Sequence, residues 1–158
     1  MLKRISKDFW IIFSIFLLDR LSKYFIIQLS DPLDGLNIEI TSFLNFHLIW
    51  NKGIAFGLLS FDQDFLYNIL TFVIFLITVI IFWFSQKTEG LEKISFLIIV
   101  GGSLGNIFDR IYYSAVADFI DVKYENFHWF IFNVADIFIT LGFFCLIIVE
   151  ILFKKKRL

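Results

Sequence analysis

Four stretches of about 20 mostly apolar residues dominate the sequence, and this is the length a helix needs to cross a bilayer. They run over 9–29, 65–84, 94–111 and 130–153. A chain of 158 residues with 59% hydrophobic content, 23 of them Phe, has too little polar surface for a soluble domain. The expected fold is an all-α membrane protein, a single domain over 1–158, with four transmembrane helices and a small extracytoplasmic β-rich segment. Lys3, Arg4 and Lys7 ahead of the first apolar stretch imitate a secretory signal. The stretch is long and lacks a small-residue cleavage site, so it reads as the first span.

Basic residues orient the spans. Lys3, Arg4 and Lys7, then Lys87 and Lys93, then Lys154 to Arg157 fall on one side of a four-span chain. By the positive-inside rule that side is cytoplasmic, with both termini. The outer segments are then 30–64 and 112–129. In the first, Asp31-Pro32 and Asp34-Gly35 signal turns, and Asn37 to Thr41 alternates like a strand. Phe43 to Trp50 is a second strand candidate. The second segment reads as an aromatic interfacial stretch carrying Tyr112, Tyr113, Tyr124 and Trp129. No basic face suits nucleic acid. The lone Cys145 forms no internal disulfide and reads as an apolar filler.

Carboxylates are costly in such a chain and mark function. Asp118 and Asp136 sit near the outer ends of apolar spans and are the catalytic candidates. Two close carboxylates cannot both ionise, so one keeps a proton while the other accepts one. That is the requirement for aspartic peptide hydrolysis. Asp121 reads as solvated. Asn133 and Asp136 are three apart and are expected to share a helical face. Asp19 and Lys23, at a spacing of four, read as an interfacial ion pair with a snorkelling lysine, as a structural brace or as a headgroup contact. Asn106 and Asp109 share a face after the small residues Gly101, Gly102, Ser103 and Gly105, which permit close helix packing. Arg110 is placed to neutralise a carboxylate. His47 and His128 are isolated, so no zinc site is expected.

Five blocks, in this order, resemble the lipoprotein signal peptidase (signal peptidase II) family: Asp19-Arg20-Leu21-Ser22-Lys23, Asn51 to Gly57, Gly101 to Arg110, Val116 to Asp121 and Phe132 to Asp136. The resemblance implies a bacterial inner-membrane aspartic endopeptidase. Such enzymes cut prolipoproteins before a diacylglyceryl-modified cysteine, use no cofactor and are inhibited by globomycin. It makes Asp118 and Asp136 the dyad, with Asn51, Asn106, Arg110 and Asn133 as substrate or dyad supports. Asp19, Lys23, Asp109, Gly53, Gly105 and Ala135 become supporting positions. Prolipoproteins and membrane phospholipid are the implied partners. One departure is visible: many members carry a proline shortly before the Phe-Asn block, where this chain has Phe130 and Ile131. A small proton- or cation-coupled transporter is the alternative, and a non-catalytic assembly factor a third reading. A transporter would place its charges near the bilayer midplane. Here Asp19, Asp109, Asp118 and Asp136 fall towards the outer ends.

Overall fold

A computed structural model describes residues 2–31, 35–53, 64–124 and 127–154. The elements in chain order are α1 (Leu2–Leu29), β1 (Asn37–Thr41), β2 (Leu44–Asn51), α2 (Asp64–Ser85), α3 (Gly90–Tyr113), β3 (Val116–Tyr124), β4 (Phe127–Phe132) and α4 (Val134–Val149). A π-helical turn over Glu150–Lys154 extends α4. Pro32, Asp34 and the Ile54 to Gly57 part of the Asn51 block lie outside the described residues, as do 155–158.

Among the described residues, three helices are long and apolar enough to cross a membrane: Phe65–Ser85, Gly90–Tyr113 and Val134–Leu152. Helix α1 has the length, at 28 residues. Asp19, Arg20 and Lys23 break its apolar run, so length and hydropathy alone do not mark it as a span. Helix α3 is the hub and packs against α1, α2 and α4. Its small residues allow this. At Gly102 an added Cβ would stand 2.7 Å from the Ala135 carbonyl, so the start of α4 is seated directly on the α3 backbone. Helices α2 and α4 instead expose apolar side chains such as Phe72, Trp83, Phe143 and Phe144, as lipid-facing surfaces do.

The strands form one antiparallel sheet in the order β1-β2-β3-β4. Both strands expected in the first outer segment are present. Segment 112–129 holds more than the aromatic stretch its composition suggested: β3 and β4 supply the other half of the sheet. Aromatic residues satisfy an interface and a strand equally well, which is why composition did not separate the two. Helix α4 accordingly starts at Val134, and Phe130 and Ile131 pair with Val122 and Asp121 in the sheet. Cys145 is exposed on α4.

Candidate active site

Helix α3 ends at Ser114, whose φ of 54° turns the chain into β3. This places Asp118 on β3 opposite Ile49 of β2, with Asn51 opposite Val116. The Asn51 side-chain amide donates to Asp118 Oδ2 at 2.9 Å, while Asn51 Oδ1 accepts the Gly53 N–H at 2.7 Å. Asp118 is 2% exposed.

Asp136 arrives from α4. Asn133 caps that helix with a reciprocal box: its Oδ1 accepts the Asp136 N–H at 3.0 Å, and its own N–H donates to Asp136 Oδ2 at 3.2 Å. Asn133 therefore precedes the helix rather than sharing a helical face with Asp136. The cap leaves its amide free to donate to Asp118 Oδ1 at 2.6 Å. One residue thus binds both carboxylates. Burial, and then the negative charge of Asp136, push Asp118 from its ordinary 3.8 up to about 6. The bonds from Asn51 and Asn133, and the charge of Lys23, oppose that rise.

Behind this pair lies a buried ion cluster. Lys23 Nζ stands 3.0 Å from Asp19 and 2.7 Å from Asp109. Arg20 bridges the same two carboxylates, at 2.6 Å to Asp19 and 2.5 Å to Asp109. Asp19 and Asp109 are 0% exposed and Lys23 is 1% exposed, so the expected snorkelling pair is in fact fully enclosed. Burial is tolerated because each charge meets opposite partners and hydrogen bonds. The cluster also reaches the site backbone. Asp19 Oδ1 accepts the Ala135 N–H at 3.0 Å, and Asp109 Oδ2 accepts the Ala117 N–H at 3.3 Å. These are the residues immediately before Asp136 and Asp118. Gly105 makes room for Asp19, whose carboxylate lies where a Cβ would project.

Asn106 joins cluster to site. Its Oδ1 accepts from Lys23 at 2.9 Å, and its Nδ2 donates to Asp136 Oδ1 at 2.8 Å. Among the described residues Arg110 makes no ion pair with a carboxylate, against expectation. Its Nη2 donates to the Gly53 carbonyl at 2.6 Å, and its Nε and Nη1 have no hydrogen-bond partner among the described residues. Asn106, Arg110 and Asp136 line a mostly apolar cleft of about 490 Å³, closed by Ile74, Phe132 and Ile139.

Asn51, Gly53, Asn106, Arg110, Asn133 and Ala135 therefore gather around Asp118 and Asp136, with Asp19, Lys23, Asp109 and Gly105 one layer behind. Asp121 is not solvated; it is 0% exposed and accepts from Asn45 at 3.4 Å. Sequence reasoning gave Arg20 no role. The available signal was its place inside an apolar run beside Asp19, where a charge requires partners. Among the described residues no three His, Cys, Asp or Glu side chains are grouped to hold a metal.

Apolar helices long enough to span a bilayer, joined to an antiparallel sheet that brings two carboxylates to one asparagine, define a multi-pass membrane protein. Residues 11–153 match the family model described as signal peptidase (SPase) II. The lipoprotein signal peptidase of Pelagibacter ubique (strain HTCC1062) is 48% identical, covering 99% of this chain and 94% of its own length. That of Francisella tularensis subsp. novicida (strain U112) is 41% identical over 76% of this chain and 77% of its own. Among solved structures, a bacterial membrane enzyme determined by the in meso method at 2.3 Å superposes with a TM-score of 0.76 at 27% identity, covering 93% of this chain and 88% of that one. The chain belongs to the signal peptidase II family, and it is a protease. These likenesses give no support to the transporter reading.

Proposed function

We propose that this chain is an aspartic endopeptidase that removes signal peptides from prolipoproteins, cutting just before the diacylglyceryl-modified cysteine, with Asp118 and Asp136 as its dyad. The observation that carries this reading is the Asn133 bridge, which binds both carboxylates from one side chain and one cap. With Asp118 raised to about 6, a proton is available to the pair near neutral pH.

The chemistry follows. One carboxylate takes a proton from water as the water oxygen bonds to the scissile carbonyl carbon. The other gives its proton to the carbonyl oxygen, so no full oxyanion develops. The tetrahedral adduct then collapses: the C–N bond breaks, the nitrogen takes the proton that the first carboxylate had accepted, a hydroxyl of the adduct returns its proton to the second, and the new carboxyl stays on the signal peptide. The cysteine keeps its lipid and gains a free amine. Arg110 lines the cleft, and its positive charge and N–H donors suit the substrate's backbone carbonyls.

The reading extends to placement. The whole of 1–158 acts as one peptidase domain. Helix α1 is the fourth span, its charges neutralised inside the protein instead of facing lipid. The basic residues argue for cytoplasmic termini in the inner membrane, with the sheet and dyad at the outer face. Diacylglyceryl prolipoprotein and surrounding phospholipid are the partners, and a globomycin-type cyclic peptide is an inhibitor. The test is cleavage of diacylglyceryl-modified prolipoprotein by the purified full chain beside its Asp118→Asn and Asp136→Asn variants. Cleavage by the wild type alone is expected. Retained turnover in either folded variant removes the dyad assignment.

A further inference from the structure

Lys23 has three N–H donors and no acceptor. Two of its contacts are the cluster carboxylates Asp19 and Asp109, and the third is Asn106 Oδ1 at 2.9 Å. Because an ammonium only donates, this contact fixes which way the Asn106 amide faces. Its NH₂ must point at Asp136, and Asp136 Oδ1 must accept. The other oxygen, Oδ2, already accepts the Asn133 backbone N–H. Both Asp136 oxygens are therefore supplied with donors.

Asp118 also accepts two amide N–H groups, from Asn51 and Asn133. The two chains differ in where they end. Among the described residues, the carbonyl oxygens of Asn51 and Asn133 accept from neutral backbone N–H groups, those of Gly53 and Asp136. The carbonyl oxygen of Asn106 accepts from a buried cation. Charge-assisted hydrogen bonds are about twice as strong as neutral ones, and linked bonds polarise one another in a low-dielectric interior. The asymmetry of the pair is thus set from behind Asp136.

We propose that Lys23 is a positioning residue that acts through Asn106 to keep Asp136 the proton-accepting member of the dyad, leaving Asp118 as the proton donor. This rests on the dyad reading above. Among the described residues, the charged groups around Asp136 are Lys23 and Asp19 from α1, Arg110 from α3 across the shared cleft, and Asp118 from β3. Arg20 and Asp109 complete the neutral cluster around Lys23. The buried position of Asp118, raised to about 6, suits the member that holds the proton.

The experiment is the pH–rate profile of the purified full chain on diacylglyceryl-modified prolipoprotein, for wild type, Lys23→Met, Asn106→Ala and the double variant. Removing an opposite charge from a titrating pair moves it by about 1–3 pH units at close range. Lys23→Met is expected to move the acidic limb of kcat to higher pH by about one unit, with kcat at neutral pH falling about tenfold or more. Asn106→Ala should move the same limb in the same direction, and adding Lys23→Met to it should move it no further. A Lys23→Met profile that keeps its acidic limb, with loss only in yield or thermal stability, overturns the proposal. So does an equal further shift in the Asn106→Ala background, which would mean a direct field instead of a relay. Should Lys23→Met fail to fold, the charge-balanced pair Lys23→Met/Asp109→Asn, measured against Asp109→Asn, reads the same limb; Asn at 109 still offers an oxygen to the Ala117 N–H. Asn106→Ala leaves the ion cluster intact, and an unmoved limb there is also fatal. The dyad reading fails separately, through turnover in Asp118→Asn or Asp136→Asn, and inactive dyad variants beside an unmoved limb sink the relay alone.

Discussion

The side-chain amide of Asn133 donates to Asp118 at 2.6 Å, joining the cap of α4 to strand β3. The same residue holds the first turn of α4 through its reciprocal box with Asp136. Asn133→Ala should therefore have two separable effects. Losing the cap costs about 1 kcal/mol of stability, read as a lower denaturation midpoint. Losing the bridge frees Asp118 and should lower cleavage well beyond what that stability loss explains. Asn133→Ser keeps a neutral capping oxygen but loses the amide donor to Asp118, so it should recover the cap's stability without activity.

Asp118→Asn and Asp136→Asn should each lower cleavage by about 10²–10⁴-fold, the range for a lost general acid or base. Membrane insertion should be unchanged, since neither side chain belongs to the Asp19–Lys23–Asp109 cluster that ties α1 to α3. Initial rates on lipid-modified substrate, beside a membrane-fraction blot, check both halves.

Asp118 also predicts a pH dependence. Its folded value lies above its ordinary 3.8, at about 6, so the folded state binds its proton more tightly than the unfolded chain does. That contribution is fully present below 3.8 and is lost as pH rises through about 6. The stability difference across the window is about 3 kcal/mol, at 1.36 kcal/mol per unit. Activity that needs this proton should fall on the alkaline side. Asn51→Ala removes a bond that lowers the Asp118 value, so its alkaline limb should lie at higher pH than that of the wild type. Chemical denaturation at a series of pH values, beside the rate profile, checks the sign.

Three of the four spans were legible because long apolar runs have few alternative structures, and Asn37 to Thr41 was legible because it alternates. The β3–β4 hairpin was not. Phe127 to Phe132 runs straight into the apolar residues of α4, so periodicity alone gives no boundary between strand and helix. The Asn133 cap marks that boundary, although asparagine three residues before aspartate also fits a helical face. Residues spaced like Asp19 and Lys23 declare a pair but not its depth. The burial of the pair depends on Asp109 and Arg20, and Asp109 comes from another helix. Asp121 was missed for the same reason, because its Asn45 partner lies across β2 and β3.

Gly105 offers a test of the packing that sets the dyad. A methyl group there would run into the Asp19 carboxylate, which binds Lys23, Arg20 and the Ala135 N–H. Asp19 cannot yield without breaking one of these contacts, and those to Lys23 and the Ala135 N–H are buried. Overpacking of this kind costs about 1–3 kcal/mol. Gly105→Ala should therefore lower the thermal midpoint, and it should also lower kcat, because Ala135 immediately precedes Asp136. Gly142→Ala is the control: its Cβ would crowd Ile99 and the Ser95 carbonyl across the α3–α4 contact, with no cluster residue involved. Both variants should lose stability, but only Gly105→Ala should lose more turnover than its folded fraction accounts for. Equal specific activity in the two folded variants would show that the cluster braces the helices without setting the position of Asp136.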